Sequence, residues 1–424
     1  MRDDATLLRP PASSCERRPV AMRPFLALAP VFLLACSSSS STPQPSHDAG
    51  HAGTPDVALV LPPRDAGHDG HAAVHDAKPD APPLDCKPYD ASALDGGVLT
   101  VTVVPTVHLI EAMPFDNASA TIPAGCWSSV KVRLEVSSDC TGVPPSGQNW
   151  PANCDPYDRL AQVTLGDTLA LGDGGATPLF VMDAVTSFGG TETWEQDVTD
   201  YVGLLEGTHT YHLEVDTYAD STGMATGTAS SHDATLSIVL TPGIPPHSVV
   251  AAVPIVRQDI TTPVVVADAA TDGGPLIGVL TAKLTAPKGA TSGRLDFFTS
   301  GHGGNGPEME CDEFCEKVND VRVDGTNLYA KAPESSCTDN CKEVDAGQTF
   351  SCGGESFGYY CQQNPESCPS SAVAPRSNWC PSQIIAPIPL TLPASALSGE
   401  HTFEVEVVGV DGTWPVGLSA VYFK

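Results

Sequence analysis

Basic residues are scarce in this chain of 424 residues: 21 Lys and Arg stand against 51 Asp and Glu, a formal net charge of −30. A nucleic-acid binder needs a cationic surface to displace phosphate counterions, so nucleic acid is excluded as a partner. No apolar run reaches the roughly 20 residues that a bilayer crossing needs. The candidate, Pro24 to Ala35, holds only twelve residues without a charge. Helical periodicity is missing too, since no stretch carries an apolar stripe over three turns. No Walker loop, HExxH, GxSxG or EF-hand signature occurs. Gly and Pro are abundant instead, 38 and 39 residues, or roughly 18% where about 12% is usual. Both are poor helix-interior residues, so a largely helical fold is excluded.

The amino-terminal segment reads as an address. Met22 and Arg23 give a basic start to the apolar run, as in a signal peptide, and Met22 is the expected translation start. Leu33-Leu34-Ala35-Cys36 resembles a bacterial lipobox, in which the cysteine becomes the lipidated first residue. Ser37 behind it resembles the signal that sorts lipoproteins to the outer membrane, facing either the periplasm or the medium. Residues 1–36 are therefore taken as the signal region, with membrane attachment through a lipid on Cys36. Removing residues 1–35 takes away five Arg and three acids, which leaves 48 acids, 16 bases and a net of −32. Residues 37–84 hold Ser, Pro, Ala, Gly, Asp and His with no aromatic residue, and read as a disordered tether. Five His lie there (His47, His51, His68, His71, His75), in a solvated spacer that a weak Zn or Cu reading also fits.

From Val98 onwards apolar and polar residues alternate with period two. Val98–Val103, Val130–Val136, Thr235–Leu240, Ile277–Leu284 and Phe403–Val408 are half-buried strands on this pattern. Short strands with frequent turns predict an all-β protein of two tandem sandwiches. Thr241-Pro242-Gly243-Ile244-Pro245-Pro246 breaks the pattern near the middle, so the expected domains are 85–244 and 245–424.

Fourteen Cys point to an oxidising compartment. With Cys15 before the expected start and Cys36 lipidated, twelve remain, an even number that reads as disulfides. Cys311, Cys315, Cys337 and Cys341 also fit four thiolates around zinc, although exported thiols are more often paired. Residues from about 333 to 380 form a Cys-rich insertion; composition leaves the pairing of Cys86, Cys126, Cys337, Cys352, Cys361 and Cys368 open. His209-x-x-His212 is the remaining metal-like pair, but on a strand that spacing sends the two to opposite faces.

The chemistry-bearing candidates are carboxylates. In Cys154-Asp155-Pro156-Tyr157-Asp158-Arg159-Leu160-Ala161-Gln162-Val163, an Asp-Arg pair precedes a strand just after a cysteine. In His212-Leu213-Glu214-Val215-Asp216-Thr217-Tyr218, alternation buries Leu213 and Val215 and puts His212, Glu214, Asp216 and Tyr218 on the other face. In Cys311-Asp312-Glu313-Phe314-Cys315, a bridge between the two cysteines would fix the direction of Glu313, as a hydrolase carboxylate requires.

Taken in order, these segments resemble the peptide-N-glycosidase F family. That family's Cys-Asp-x-Trp-Asp-Arg-Tyr-Ala-x-Val is similar to Cys154–Val163, and its Ser-Gly-x-Gly-His followed by Cys-x-Glu-x-Cys is similar to Ser300–Gly304 followed by Cys311–Cys315. Its Arg-x-x-Trp-Cys-Pro is similar to Arg376-Ser377-Asn378-Trp379-Cys380-Pro381, and Thr241-Pro242 followed by Val249–Val256 is similar to the family's interdomain segment. The resemblance implies two adjacent eight-stranded antiparallel jelly rolls with the site at their interface. It implies an amidase that releases N-linked glycans from asparagine of a glycoprotein or glycopeptide, as a monomer and without metal or organic cofactor.

On this resemblance Asp158 is the main catalytic carboxylate, Glu313 the second acid and Asp216 a supporting one. Arg159, Arg376, Tyr157, Tyr218, His302 and Trp379 are substrate-binding positions. It implies disulfides Cys140–Cys154, Cys311–Cys315 and Cys380 with Cys341 or Cys337. The chain departs from the family where Asp216 stands for glutamate, His302 for tryptophan, Pro375 for aspartate, and Tyr157 and Tyr218 for tryptophans. Those departures imply an altered glycan preference or, as a second reading, a surface lipoprotein that binds glycans without cleaving them.

Overall fold

The computed structural model describes residues 97–166, 177–257, 279–303, 312–314, 317–338, 373–407 and 414–424, scattered residues between 86 and 94, and the backbone of short strands between 341 and 361. The expected lipidation site Cys36, the tether 37–84, and Cys311, Cys315 and Cys368 lie outside the described residues.

The first eight strands are β1 (Leu99–Ile110), β2 (Phe115–Ile122), β3 (Trp127–Ser138), β4 (Leu160–Leu165), β5 (Leu179–Val185), β6 (Gly190–Asp197), β7 (Gly207–Val215) and β8 (Ser231–Pro242). After residues 243–248 come β9 (Val249–Arg257), β10 (Val279–Thr285), β11 (Ser292–Thr299), β12 (Asn319–Val323) and β13 (Thr326–Lys331). Four three-residue strands follow: β14 (Cys341–Glu343), β15 (Phe350–Cys352), β16 (Glu355–Phe357) and β17 (Tyr359–Cys361). The chain ends with β18 (Gln383–Ile384), β19 (Ile388–Thr391), β20 (Glu400–Val407) and β21 (Val416–Phe423).

Four main sheets make two sandwiches, and every pairing in them is antiparallel. The first sandwich faces β1-β8-β3-β6 against β18-β5-β4-β7-β2; the second faces β10-β20-β12-β13 against β19-β11-β21-β9. Each has eight strands of its own, and the first also takes β18 from the carboxy-terminal half, where Gln383 pairs with Val185. Residues 77–424 form one compact unit.

Period-two alternation explains the sheet β1-β8-β3-β6. On β3, Val130, Val132, Leu134 and Val136 are buried, and across the ladder Ala234, Leu236, Ile238 and Leu240 of β8 meet them in register. Each Val, Leu or Ile among them contributes roughly 1.5–3 kcal/mol when fully buried. β4 and β5 behave differently, with every residue buried on both faces. Their second face carries Gln162, Thr164 and Asp183, and β5 packs against β9 and β21 of the second sandwich. There Phe180 meets Phe298 edge-on at 4.8 Å, and Arg257 lies 4.8 Å over the Phe180 ring while donating to Gln162 Oε1 at 3.2 Å. Nearby, Tyr201 donates to Asp296 at 2.5 Å.

The disulfides are Cys86–Cys126, Cys140–Cys154 and Cys337–Cys380 among the described residues. Cys380 therefore takes Cys337, not Cys341, as its partner. Cys341 sits on β14 opposite Cys361 of β17. With Cys337 consumed in a disulfide, the four-thiolate zinc set is incomplete.

Candidate active site

Loops from both sandwiches converge where β4 begins. The 154–159 loop hangs from the Cys140–Cys154 disulfide, and Gly189 lies so close that a Cβ there would come within 2.7 Å of Cys140 Sγ. Asp155, fully buried, organises this loop. Its carboxylate accepts from the Tyr157 backbone N–H at 3.2 Å, Arg159 Nε at 2.8 Å, Thr217 Oγ1 at 2.9 Å and the Tyr218 N–H at 3.4 Å. One buried acid thus ties the loop before β4 to the loop after β7 and aims Arg159. Asp216 is fixed by its own N–H, which donates to the Leu160 carbonyl at 3.0 Å.

The second sandwich contributes the turn after β11. Gly301 packs so tightly that a Cβ would lie 2.2 Å from the Asp312 carbonyl oxygen and 2.5 Å from the Trp414 ring. The Gly303 carbonyl accepts from the N–H groups of Asp312 and Glu313 at 3.1 and 3.2 Å, which places Glu313. The Glu313 carbonyl in turn accepts from the Ser377 N–H at 3.0 Å. Ser377 and Arg376 belong to a segment held by the Cys337–Cys380 disulfide and by the bridge between Arg376 and Ser335. Trp379 joins Leu160, Val185 and Ile385 in a small apolar cluster, and its indole N–H donates to the Gly301 carbonyl at 2.7 Å.

The result is a cavity of about 350 Å3 lined by Tyr157, Asp158, Arg159, Leu160, Asp216, His302, Gly303, Glu313 and Trp379. Behind it lies Arg376, 2% exposed. Its Nη1 contacts Glu313 Oε1 and stands 3.3 Å from Asp158 Oδ2. The guanidinium packs 4.3 Å from the Trp379 ring and 4.7 Å from Phe314. Two carboxylates from different sandwiches therefore share one buried cation.

That ratio governs the protonation states. Burial raises the Asp158 carboxyl above its ordinary range, and the Arg376 charge opposes the rise only in part. Burial and the Asp158 charge push Glu313 up to about 7, again against Arg376. Asp216 is raised as well, by burial first, with Arg159 opposing. Like charges that converge on one buried cation cannot all ionise cheaply, so the site holds a proton near neutral pH. A carboxyl that exchanges a proton near pH 7 is suited to general acid–base work.

Of the residues singled out from sequence, Tyr157, Asp158, Arg159, Asp216, His302, Glu313 and Trp379 share this cavity. Arg376 lies behind the wall instead of in it. Tyr218 is 48% exposed and is not among the lining residues. The polar face expected on β7 is not solvated: His212 and Glu214 are buried, His212 bonding Asn117 at 2.9 Å and lying tilted against the Phe115 ring at 5.3 Å. His209 bonds the Glu206 carbonyl at 2.7 Å and does not converge with His212. The residue that sequence reasoning passed over is Asp155. It sits inside the quoted motif, and its signal was its place between the disulfide cysteine and the Asp-Arg pair.

Fold and site together define a double jelly roll with a carboxylate pair at the junction of its sandwiches, and in this the chain resembles the peptide-N-glycosidase F family. Residues 277–416 match the family model described as Peptide-N-glycosidase F, C terminal. Among solved structures, the chain is similar to a peptide-N(4)-(N-acetyl-β-D-glucosaminyl) asparagine amidase, at 16% identity and a TM-score of 0.56, over 77% of this chain and 96% of that one. It is similar to PNGase F, a glycosylasparaginase from Flavobacterium meningosepticum, at 15% identity and a TM-score of 0.55, with the same coverage of 77% and 96%. PNGF-II gives 17% identity and a TM-score of 0.55 over 77% of this chain, which spans 66% of the PNGF-II chain, just under two thirds. At these identities the likeness is one of fold. No curated protein matches the chain in sequence.

Proposed function

We propose that this protein is an amidohydrolase that cleaves the amide joining N-acetylglucosamine to asparagine and so releases N-linked glycans from glycoproteins or glycopeptides. The observation that carries this reading is the convergence of Asp158 and Glu313, both in the cavity wall, on Arg376 buried behind it. Water attack on an amide needs a base for the nucleophile and an acid for the departing amine. Asp158 takes a proton from water as its oxygen adds to the amide carbonyl. Glu313, which carries a proton near neutral pH, gives it to the amide nitrogen as the carbon–nitrogen bond breaks. The products are a glycosylamine and an aspartyl peptide, and the proton on Asp158 resets Glu313. Arg376 positions both acids from behind, Asp216 and Arg159 shape the adjoining wall, and Tyr157 offers ring surface to sugar, whereas Trp379, buried against Arg376 and His302, backs the wall and presents no free face.

A glycopeptide assay tests the assignment: Asp158→Asn and Glu313→Gln should each abolish release by the full chain, and full activity in either would sink it. Retention of glycopeptide without release by the unaltered protein would favour the glycan-binding reading. We also propose that a lipid on Cys36 anchors the chain to the bacterial outer membrane, supported by Leu33-Leu34-Ala35-Cys36-Ser37. Cys36→Ser should move the protein from the membrane to the soluble fraction.

A further inference from the structure

His302 lies in the cavity wall with its ring stacked on Trp379, centroids 4.9 Å apart and planes 26° from parallel. Its Nε2 is 2.9 Å from the hydroxyl of Ser300. Ser300 is fully buried, so that hydroxyl orients the imidazole and does not reach a substrate. Asp183 of β5, 1% exposed, is pushed up to about 8 by burial against the opposing Arg257 charge, and its Oδ1 accepts from the Gln162 amide at 3.5 Å. Burial, and then the Arg376 charge, push the His302 ring down to about 3, so it is a neutral imidazole at physiological pH. Neutral imidazole offers one donor and one acceptor nitrogen. With Nε2 engaged by Ser300, Nδ1 is the nitrogen left for a ligand. A neutral ring fixed against an indole suits an uncharged hydroxyl better than an anion.

We propose that His302 determines specificity in the cavity: Ser300 holds it so that Nδ1 hydrogen-bonds one hydroxyl of the sugar attached to the scissile amide. This rests on the glycan-amidase reading and names what that site selects. Ser300 acts through His302 and is a positioning residue. A site built to bond a hydroxyl discriminates against an analogue that lacks it, because its own polar group is left unpaired.

The test uses the full chain, an asparagine-linked N-acetylglucosamine glycopeptide, and analogues of it that each lack one ring hydroxyl. Binding is measured by calorimetry and release by steady-state kinetics. The unaltered protein should bind one analogue about tenfold more weakly than the parent. His302→Phe keeps a stacking ring without nitrogens. It should weaken parent binding about tenfold and erase the discrimination, with KM rising far more than kcat falls. His302→Asn, which keeps a polar atom near the Nδ1 position, should retain part of the discrimination, and Ser300→Ala should reduce it. Undiminished discrimination in His302→Phe, none in the unaltered protein, or a collapse of kcat with KM unchanged would overturn the proposal. Discriminating binding without release would support it and overturn only the amidase reading. No glycopeptide binding at all would overturn both.

Discussion

Replacing Glu313 by Gln should stabilise the folded protein at alkaline pH while it removes the proposed activity. Glu313 is held at about 7 against an ordinary value of 4.5, chiefly by burial and then by the Asp158 charge. The folded protein thus binds the Glu313 proton more tightly than the unfolded chain does. The associated stability is full below 4.5 and is lost as pH rises through about 7. Each pH unit of that gap corresponds to about 1.36 kcal/mol, which makes the total about 3 kcal/mol. Gln does not titrate, and its carbonyl can still accept from Arg376, which keeps Asp158 as a one-to-one partner. The stability difference between variant and unaltered protein should therefore swing by about 3 kcal/mol in favour of the variant between about pH 4.5 and about pH 8. Asp183 titrates in both proteins and cancels in the difference. Urea unfolding followed by tryptophan fluorescence at the two pH values measures the swing. An identical stability difference at both would refute the buried, cation-sharing carboxylate pair.

Further expectations concern proton transfer and the scaffold. If Glu313 delivers the proton, kcat/KM should fall above about pH 7 with unit slope, and a profile flat into the alkaline range would exclude that role. Asp155→Ala strips four donors of their shared acceptor, so it should cost about 3 kcal/mol or more in urea unfolding and release Arg159. A loss under about 0.5 kcal/mol would mean Asp155 is no hub. Opening Cys337–Cys380, which closes a separation of 43 residues, should cost about 4 kcal/mol on the chain-entropy account. It should also disable glycan release, because Arg376 and Trp379 are held next to it; undiminished release after selective reduction would count against that.

The strands were legible wherever one face meets solvent. β3 and β8 alternate cleanly because their outer faces are wet, and the period-two pattern records that. β7 was legible only in part: Leu213 and Val215 point to the core as expected, but the polar face opposite them is buried as well, at His212 and Glu214. Polar residues read as a wet face unless their partners, here Asn117 and Phe115, are known. The borrowed strand β18 was beyond reach, since Gln383 pairs with Val185 across nearly half the chain. Asp158, Glu313 and Trp379 were legible through ordered motifs, whereas the burial that sets the Glu313 proton near neutrality belongs to the folded geometry alone. Choosing Cys337 over Cys341 likewise required three dimensions, because the two lie four residues apart in the same insertion.

Whether the amide or a sugar–sugar bond is broken can be read from where a water oxygen ends up. The full chain is incubated with an N-glycopeptide in 18O-labelled water, and the peptide product is sequenced by mass spectrometry. Amide hydrolysis turns the glycosylated asparagine into aspartate with one 18O atom in its side-chain carboxylate, and that is the expected result. An asparagine that survives with an unlabelled side chain, bare or still bearing sugar, would contradict it.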